Sequence, residues 1–243
     1  VKYSVKILVT LLFFSSCQFE NKRGNTQLLH KKVTPKNESI DPPEGFVYLQ
    51  NQLEDLKVEP RYYSNNNFVG DTIDGYLSVK YMISKVAYDS LNKVAEEVRM
   101  DAYGLKVFDA YRPQQAVDHF VRWAKNLSDT AMKSEYYPEV DKKDLFALGY
   151  IAEKSSHSRG STVDITLYSL LDNSEIDMGS QWDYFGPRSG YGFSDLSDRQ
   201  KANRAYLRKV MVKHGFKPLQ EEWWHFTLKN EPFADTSFNF PVQ

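Results

Sequence analysis

A single cysteine, Cys17, is all that the 243 residues contain, and one thiol excludes a disulfide framework within the chain. An excess of charge is also lacking. Lys and Arg number 31 against 32 Asp and Glu, a net charge of −1 with no basic segment, so there is no electrostatic footprint for nucleic acid and a small or neutral partner is expected. The apolar run Ile7 to Phe14 has eight residues, too few to span a bilayer. No repeat or low-complexity tract occurs. What is present is a 41% hydrophobic and 14% aromatic composition, enough to bury the core of one catalytic domain and too little chain for a second full one.

The N-terminus reads as a targeting segment: Lys2 and Lys6, the apolar run, then Ser15 and Ser16 before Cys17. Phe14-Ser15-Ser16-Cys17 resembles a bacterial lipobox with Phe14 where leucine is usual. The expectation is a lipoprotein signal over residues 1–16, a lipid on Cys17 that anchors the protein to a membrane, and a periplasmic location. The rival reading is an ordinary cleaved signal peptide or a core strand with an incidental thiol. Residues 17–45, polar with Pro35, Pro42 and Pro43, read as a flexible tether, which leaves 46–243 as the domain.

Along that domain the pattern predicts a helix capped by Asp89 or Ser90, with Leu91, Val94, Ala95, Val98 and Ala102 on one face and Gly104 as its stop. LKVFDAY, 105–111, reads as a strand, and Pro113 opens a second helix to about Leu127. Arg112 thereby falls at a strand end. Tyr76 to Met82 suggests a strand or a cleft wall, and residues 128–154 a loop with a short helix over the site. Val163 to Tyr168 alternates as a strand. Residues 177–195, rich in glycine and aromatics, form a long irregular segment of the kind that carries function. Ser197 and Gln200 make a capping box for a helix reaching His214, with Gly215 as its stop, and Trp223 to Leu228 is the last strand.

Chemistry concentrates in SSHSRGSTVDITL, 155–167, where His157 precedes Asp164 by seven positions across the flexible Gly160. A glycine-bearing loop feeding a strand can bring both side chains to one point. EEWWHF supplies a second imidazole, His225, with Glu222 three residues before it. Two imidazoles and a carboxylate suit Zn²⁺ with its fourth position left to water, and Glu222, with Glu221 as its neighbouring rival, would be the base for that water. His30 lies in the tether, and His119 and His214 sit on predicted helices as surface groups.

The order and spacing of SSHSRGSTVDITL, DAYRP, MGSQWDYF and EEWWHF, over about Phe46 to Phe226, resembles the D-alanyl-D-alanine dipeptidases of the VanX type, zinc peptidases related to D-alanyl-D-alanine carboxypeptidases. The resemblance implies an α+β hedgehog-like fold, a small mostly antiparallel sheet flanked by helices. It implies one zinc per chain on His157, Asp164 and His225, Glu222 as catalytic carboxylate and Arg112 as the group that steadies the oxyanion. Asp183 would meet the free amino group of a dipeptide and Ser155 its carboxylate. Trp182 stands where the family usually has phenylalanine, a change expected to reshape the pocket only. The implied reaction is hydrolysis of D-alanyl-D-alanine in cell-wall peptide metabolism or glycopeptide resistance. A D,D- or L,D-carboxypeptidase acting on peptidoglycan stems is the alternative, and a non-catalytic lipoprotein that binds wall peptides a remoter one.

Overall fold

The structure, a computed structural model, describes residues 41–50 and 52–243. The signal segment, Cys17 and nearly all of the tether lie outside the described residues. Among those described, no helix is long and apolar enough to cross a membrane.

The domain is built on a five-stranded sheet. In chain order its strands are β2 (Leu56–Val58), β4 (Tyr103–Asp109), β5 (Thr162–Ser169), β6 (Phe216–Pro218) and β7 (His225–Leu228), while β1 (Phe46–Tyr48) and β3 (Met82–Ser84) form a separate antiparallel pair. The spatial order is β2-β4-β5-β7-β6, with only the β2-β4 pair parallel. This is the expected α+β class with a mostly antiparallel sheet. Because successive side chains alternate across a strand, the register assigns each face. Leu105 pairs with Leu167, Val107 with Ile165 and Val163 with Phe226, giving one face of fully buried apolar residues. Helices α1 (Lys85–Met100) and α4 (Asp198–Lys213) pack on the sheet and on each other, and Tyr206 of α4 meets Tyr103 of β4 at 5.4 Å.

The other face is polar and holds Asp164, Thr166, His225 and Thr227. A bulge directs the residues of β4 onto it: Val107 faces Ile165, yet Asp109, two residues on, faces Asp164, one residue back. The extra residue lets Phe108 and Asp109 both serve this face. Over it lie α2 (Gln114–Lys125), the short α3 (Lys133–Tyr136) and the irregular segment 177–195.

Several predicted boundaries differ. The strand expected over 105–111 is Tyr103–Asp109, which leaves Arg112 three residues past its end, the strand expected from Trp223 begins at His225, and Ala102, expected on the helix face, lies beyond α1 at φ +60°. Helix α1 begins at Lys85, not near Asp89, because Ser84 caps it: its Oγ accepts from the Ala87 N–H while also bonding Ser161 Oγ at 2.8 Å. Gly104 is not the helix stop but lies inside β4, where a Cβ would sit 2.3 Å from the Tyr168 ring. Of the stretch 76–82, only Met82 is in a strand, and Tyr76 makes a single bridge to Val242. The capping box of α4 is present with both reciprocal bonds.

Candidate metal centre

Strands β5 and β7 pair in the register that sets Asp164 directly opposite His225, so the two side chains leave the sheet side by side. His157 comes from a 3-10 turn, Ser156–Arg159, just before β5. The turn is held at its start by Ser155, whose Oγ accepts the His157 N–H at 3.2 Å, and at its end by Gly160 with φ +76°. Ser84 N–H also donates to Gly160 O.

Three atoms converge there. His157 Nε2 and Asp164 Oδ1 are 3.2 Å apart, His225 Nδ1 and Asp164 Oδ1 3.2 Å, and the two imidazole nitrogens 3.3 Å. The tautomers follow from the outer nitrogens. His157 Nδ1 lies 2.6 Å from Ala110 O, which can only accept, so the proton is on Nδ1 and Nε2 presents a lone pair. His225 Nε2 lies 3.2 Å from Ser156 Oγ and 3.5 Å from Thr227 Oγ1; those hydroxyls can take its proton and leave Nδ1 free. Asp164 Oδ1, buried, receives no hydrogen bond among the described residues. Three lone pairs turned on one point repel unless a cation stands between them. Donors at about 2.0–2.1 Å around a tetrahedral ion lie about 3.3 Å apart, which the observed edges match. Within the described residues these three are the group of His, Cys, Asp and Glu able to hold a metal ion.

The triad opens into a cavity of about 230 Å³ lined also by Tyr62, Arg112, Ser155, Asp183 and Glu222. Every candidate residue read from the sequence of the domain therefore lines one space. Glu222 Oε2 is 3.5 Å from His225 Nδ1. Burial pushes its carboxyl up to about 7, with the charge of Asp164 adding to the shift and His225 opposing it. A group poised there can both take and return a proton near neutral pH.

Arg112 is fixed from below: its Nε donates to Asp109 Oδ2 at 2.8 Å, and its guanidinium lies over the rings of Tyr62 and Phe120. Asp109 is in turn held by the Tyr76 hydroxyl at 2.7 Å. Asp183 sits in the left-handed region at φ +60°, an uncommon conformation for a residue with a side chain, and accepts from the Tyr62 hydroxyl at 2.7 Å. Burial, followed by the charge of Asp164, raises its pKa well above the usual range, so a cationic group entering the cavity would be drawn to it and would restore its charge.

Tyr62, Asp109 and Trp182 escaped the sequence reading as partners of these residues. For Asp109 a signal existed, since it lies three residues before Arg112 within DAYRP; for Tyr62, 121 positions from Asp183, none did. Arg159 grips Glu231 with two bonds of 2.8 and 2.7 Å, which ties the C-terminal segment to the His157 turn. That segment also places Phe238 N–H on Ser158 O. His119 and His214 pair with Asp74 and Glu97, away from the cavity. A larger cavity of about 500 Å³ is lined by Trp182 and contains none of the triad.

The family model described as D-ala-D-ala dipeptidase matches residues 43–243. A D-alanyl-D-alanine dipeptidase of Enterococcus faecalis is 38% identical over 198 residues, 82% of this chain and 98% of that protein. One of Streptomyces coelicolor is 37% identical over 81% of this chain and 98% of its own, and one of Escherichia coli 30% identical over 72% and 79%. Among solved structures, a mutant of the vancomycin-resistance D,D-pentapeptidase VanY in complex with Zn(II) has a TM-score of 0.40 at 16% identity, covering 65% of this chain and 79% of that one, too slight a likeness to carry an argument.

Proposed function

The chain belongs to the D-Ala-D-Ala dipeptidase family, and from that membership together with the cavity we infer that it is a metallo-dipeptidase that hydrolyses D-alanyl-D-alanine to two D-alanines. The observation that carries the inference is the meeting of three lone-pair donors with an adjacent half-buried carboxylate in one small cavity. His157, Asp164 and His225 are the ligands, and zinc is the metal their chemistry suits. Bound there, zinc would lower the pKa of water toward about 7 and polarise a carbonyl.

The residues of the chain do the rest. Glu222 takes the proton of the attacking water as the new C–O bond forms, and returns it to the amine as the C–N bond breaks. Arg112 has its Nε committed to Asp109, so its terminal nitrogens are the donors left for the oxyanion. Asp183 receives the ammonium of the substrate, with Tyr62 fixing the carboxylate, and the Ser155 hydroxyl proton, not used in the cap, is available to the carboxylate at the other end. A cavity of about 230 Å³ is below the roughly 300–1,000 Å³ usual for drug-sized ligands. That size, with a carboxylate on its wall, favours a free dipeptide over a peptidoglycan stem.

The test is release of D-alanine from D-alanyl-D-alanine, with and without a chelator and with zinc restored, beside a pentapeptide stem. Activity on the dipeptide that chelation removes and zinc restores is expected; cleavage of the stem alone would move the protein to the carboxypeptidases. We also propose that Cys17 carries a lipid which holds the enzyme at a membrane, on the exported side, the lipobox-like sequence being its support. Labelled palmitate should enter the full chain and not a Cys17→Ala variant; an unlabelled, freely soluble full chain would sink this.

A further inference from the structure

Trp182 is 1% exposed and lies behind Asp164, lining the larger cavity and not the metal cavity. Its indole stacks on Phe108 with centroids 5.3 Å apart and planes at 6°, and packs on Tyr62 at 4.9 Å. These contacts leave the ring one orientation, in which Nε1–H points at Asp164 Oδ2 at 3.1 Å. That is the oxygen turned away from the imidazoles. The charged neighbour of Oδ2, Arg112 Nη2, stands at 3.6 Å, outside hydrogen-bond range. Among the described residues Trp182 is thus the hydrogen-bond donor to this carboxylate.

We propose that Trp182 is a positioning residue for the metal centre: its N–H holds Asp164 so that Oδ1 alone is offered to the metal. The inference rests on reading His157, Asp164 and His225 as metal ligands. An indole is suited to the task because it donates, never accepts, and does not titrate in the working range. Without it, two competing arrangements open for Asp164. The carboxylate can rotate to present both oxygens to the metal, or Oδ2 can close the gap to Arg112 and consume the donors that the reaction needs. Fixing a ligand through its outer partner is how metal sites are commonly tuned.

The experiment measures zinc affinity of the full chain by chelator competition at fixed pH, for the wild type, Trp182→Phe, and a chain with benzothienylalanine at position 182. The last keeps the shape of the ring and replaces N–H with sulfur. Both variants are expected to bind zinc about 10- to 100-fold more weakly, and the visible absorption of their cobalt(II) forms should change in intensity as the Asp164 geometry changes. If Trp182→Phe fails to fold, the benzothienyl chain decides. Wild-type zinc affinity and cobalt spectrum in the benzothienyl chain overturn the proposal, whatever Trp182→Phe does, since the effect would then be one of shape. A wild-type chain that binds no zinc overturns the ligand reading and this inference together, whereas tight zinc in all three chains overturns this inference alone.

Discussion

Replacing Gly160 with alanine should unseat the turn that carries His157 without altering any polar group. Gly160 has φ +76°, where a residue with a Cβ costs about 1–2 kcal/mol. The added carbon would also stand 2.3 Å from Cε1 and 2.5 Å from Cζ of Phe46. That ring cannot simply swing aside, because Tyr111, Phe233, Phe238 and Phe240 surround it at centroid distances of 5.2–5.8 Å. Overpacking of this kind costs about 1–3 kcal/mol. The two effects together amount to about 2–5 kcal/mol, a fall in melting temperature of roughly 4–20 °C for a domain of this size. Because Gly160 N–H donates to His157 O at 2.9 Å, the displacement reaches the imidazole and zinc affinity should fall with stability. Calorimetry on Gly160→Ala, Phe46→Ala and the double variant separates the causes. Phe46→Ala clears the space but leaves the backbone strain, so the double variant should be more stable than additivity predicts by about 1–3 kcal/mol. Strict additivity would refute the clash, and a wild-type melting temperature for Gly160→Ala would refute the whole account.

Glu222→Gln should keep wild-type zinc affinity while kcat drops by about 100- to 10,000-fold; steady-state rates near wild type would remove Glu222 from the reaction. Tyr62→Phe takes one donor from Asp183 and should raise KM about 10- to 100-fold with a smaller change in kcat, so the opposite split would place Tyr62 elsewhere in the mechanism. Glu59 governs part of the acid limb of stability. Burial would raise its pKa, but hydrogen bonds from Lys106 and Arg61 outweigh that and hold it below the ordinary value, so its contribution is present above about pH 4.3 and is lost as pH falls through the lower folded value. Glu59→Gln should therefore be less stable than wild type at neutral pH and converge with it in acid, as followed by melting temperature against pH; a constant difference would contradict the linkage.

The legible parts of the site were those whose chemistry is local or repeated. His157 and Asp164 share one loop and strand, and Glu222 and His225 one short segment, so type and spacing made them candidates and the family resemblance selected Glu222 over Glu221. Helix α4 was legible for the same reason, since Ser197 and Gln200 satisfy each other across a single turn. Helix α1 was misplaced at its start because two nearby residues can also cap a helix, and the choice of Ser84 is fixed by Ser161 and the Gly160 carbonyl, which lie far along the chain. Gly104 read as a helix stop for want of any view of Tyr168.

From the sequence alone came two imidazoles and a carboxylate of the types that suit zinc, a second carboxylate beside them and an arginine that follows a strand. These follow from side-chain chemistry that each residue carries wherever it sits. The tertiary structure alone decided which nitrogen of each histidine faces the centre, that Asp164 stands opposite His225, and that Asp109, Tyr62 and Trp182 hold the working groups in place. Those outcomes depend on strand register, on the bulge at Phe108, and on hydrogen bonds between groups brought together by burial. Pairings of that kind arise when the whole core closes, and short-range pattern does not encode them.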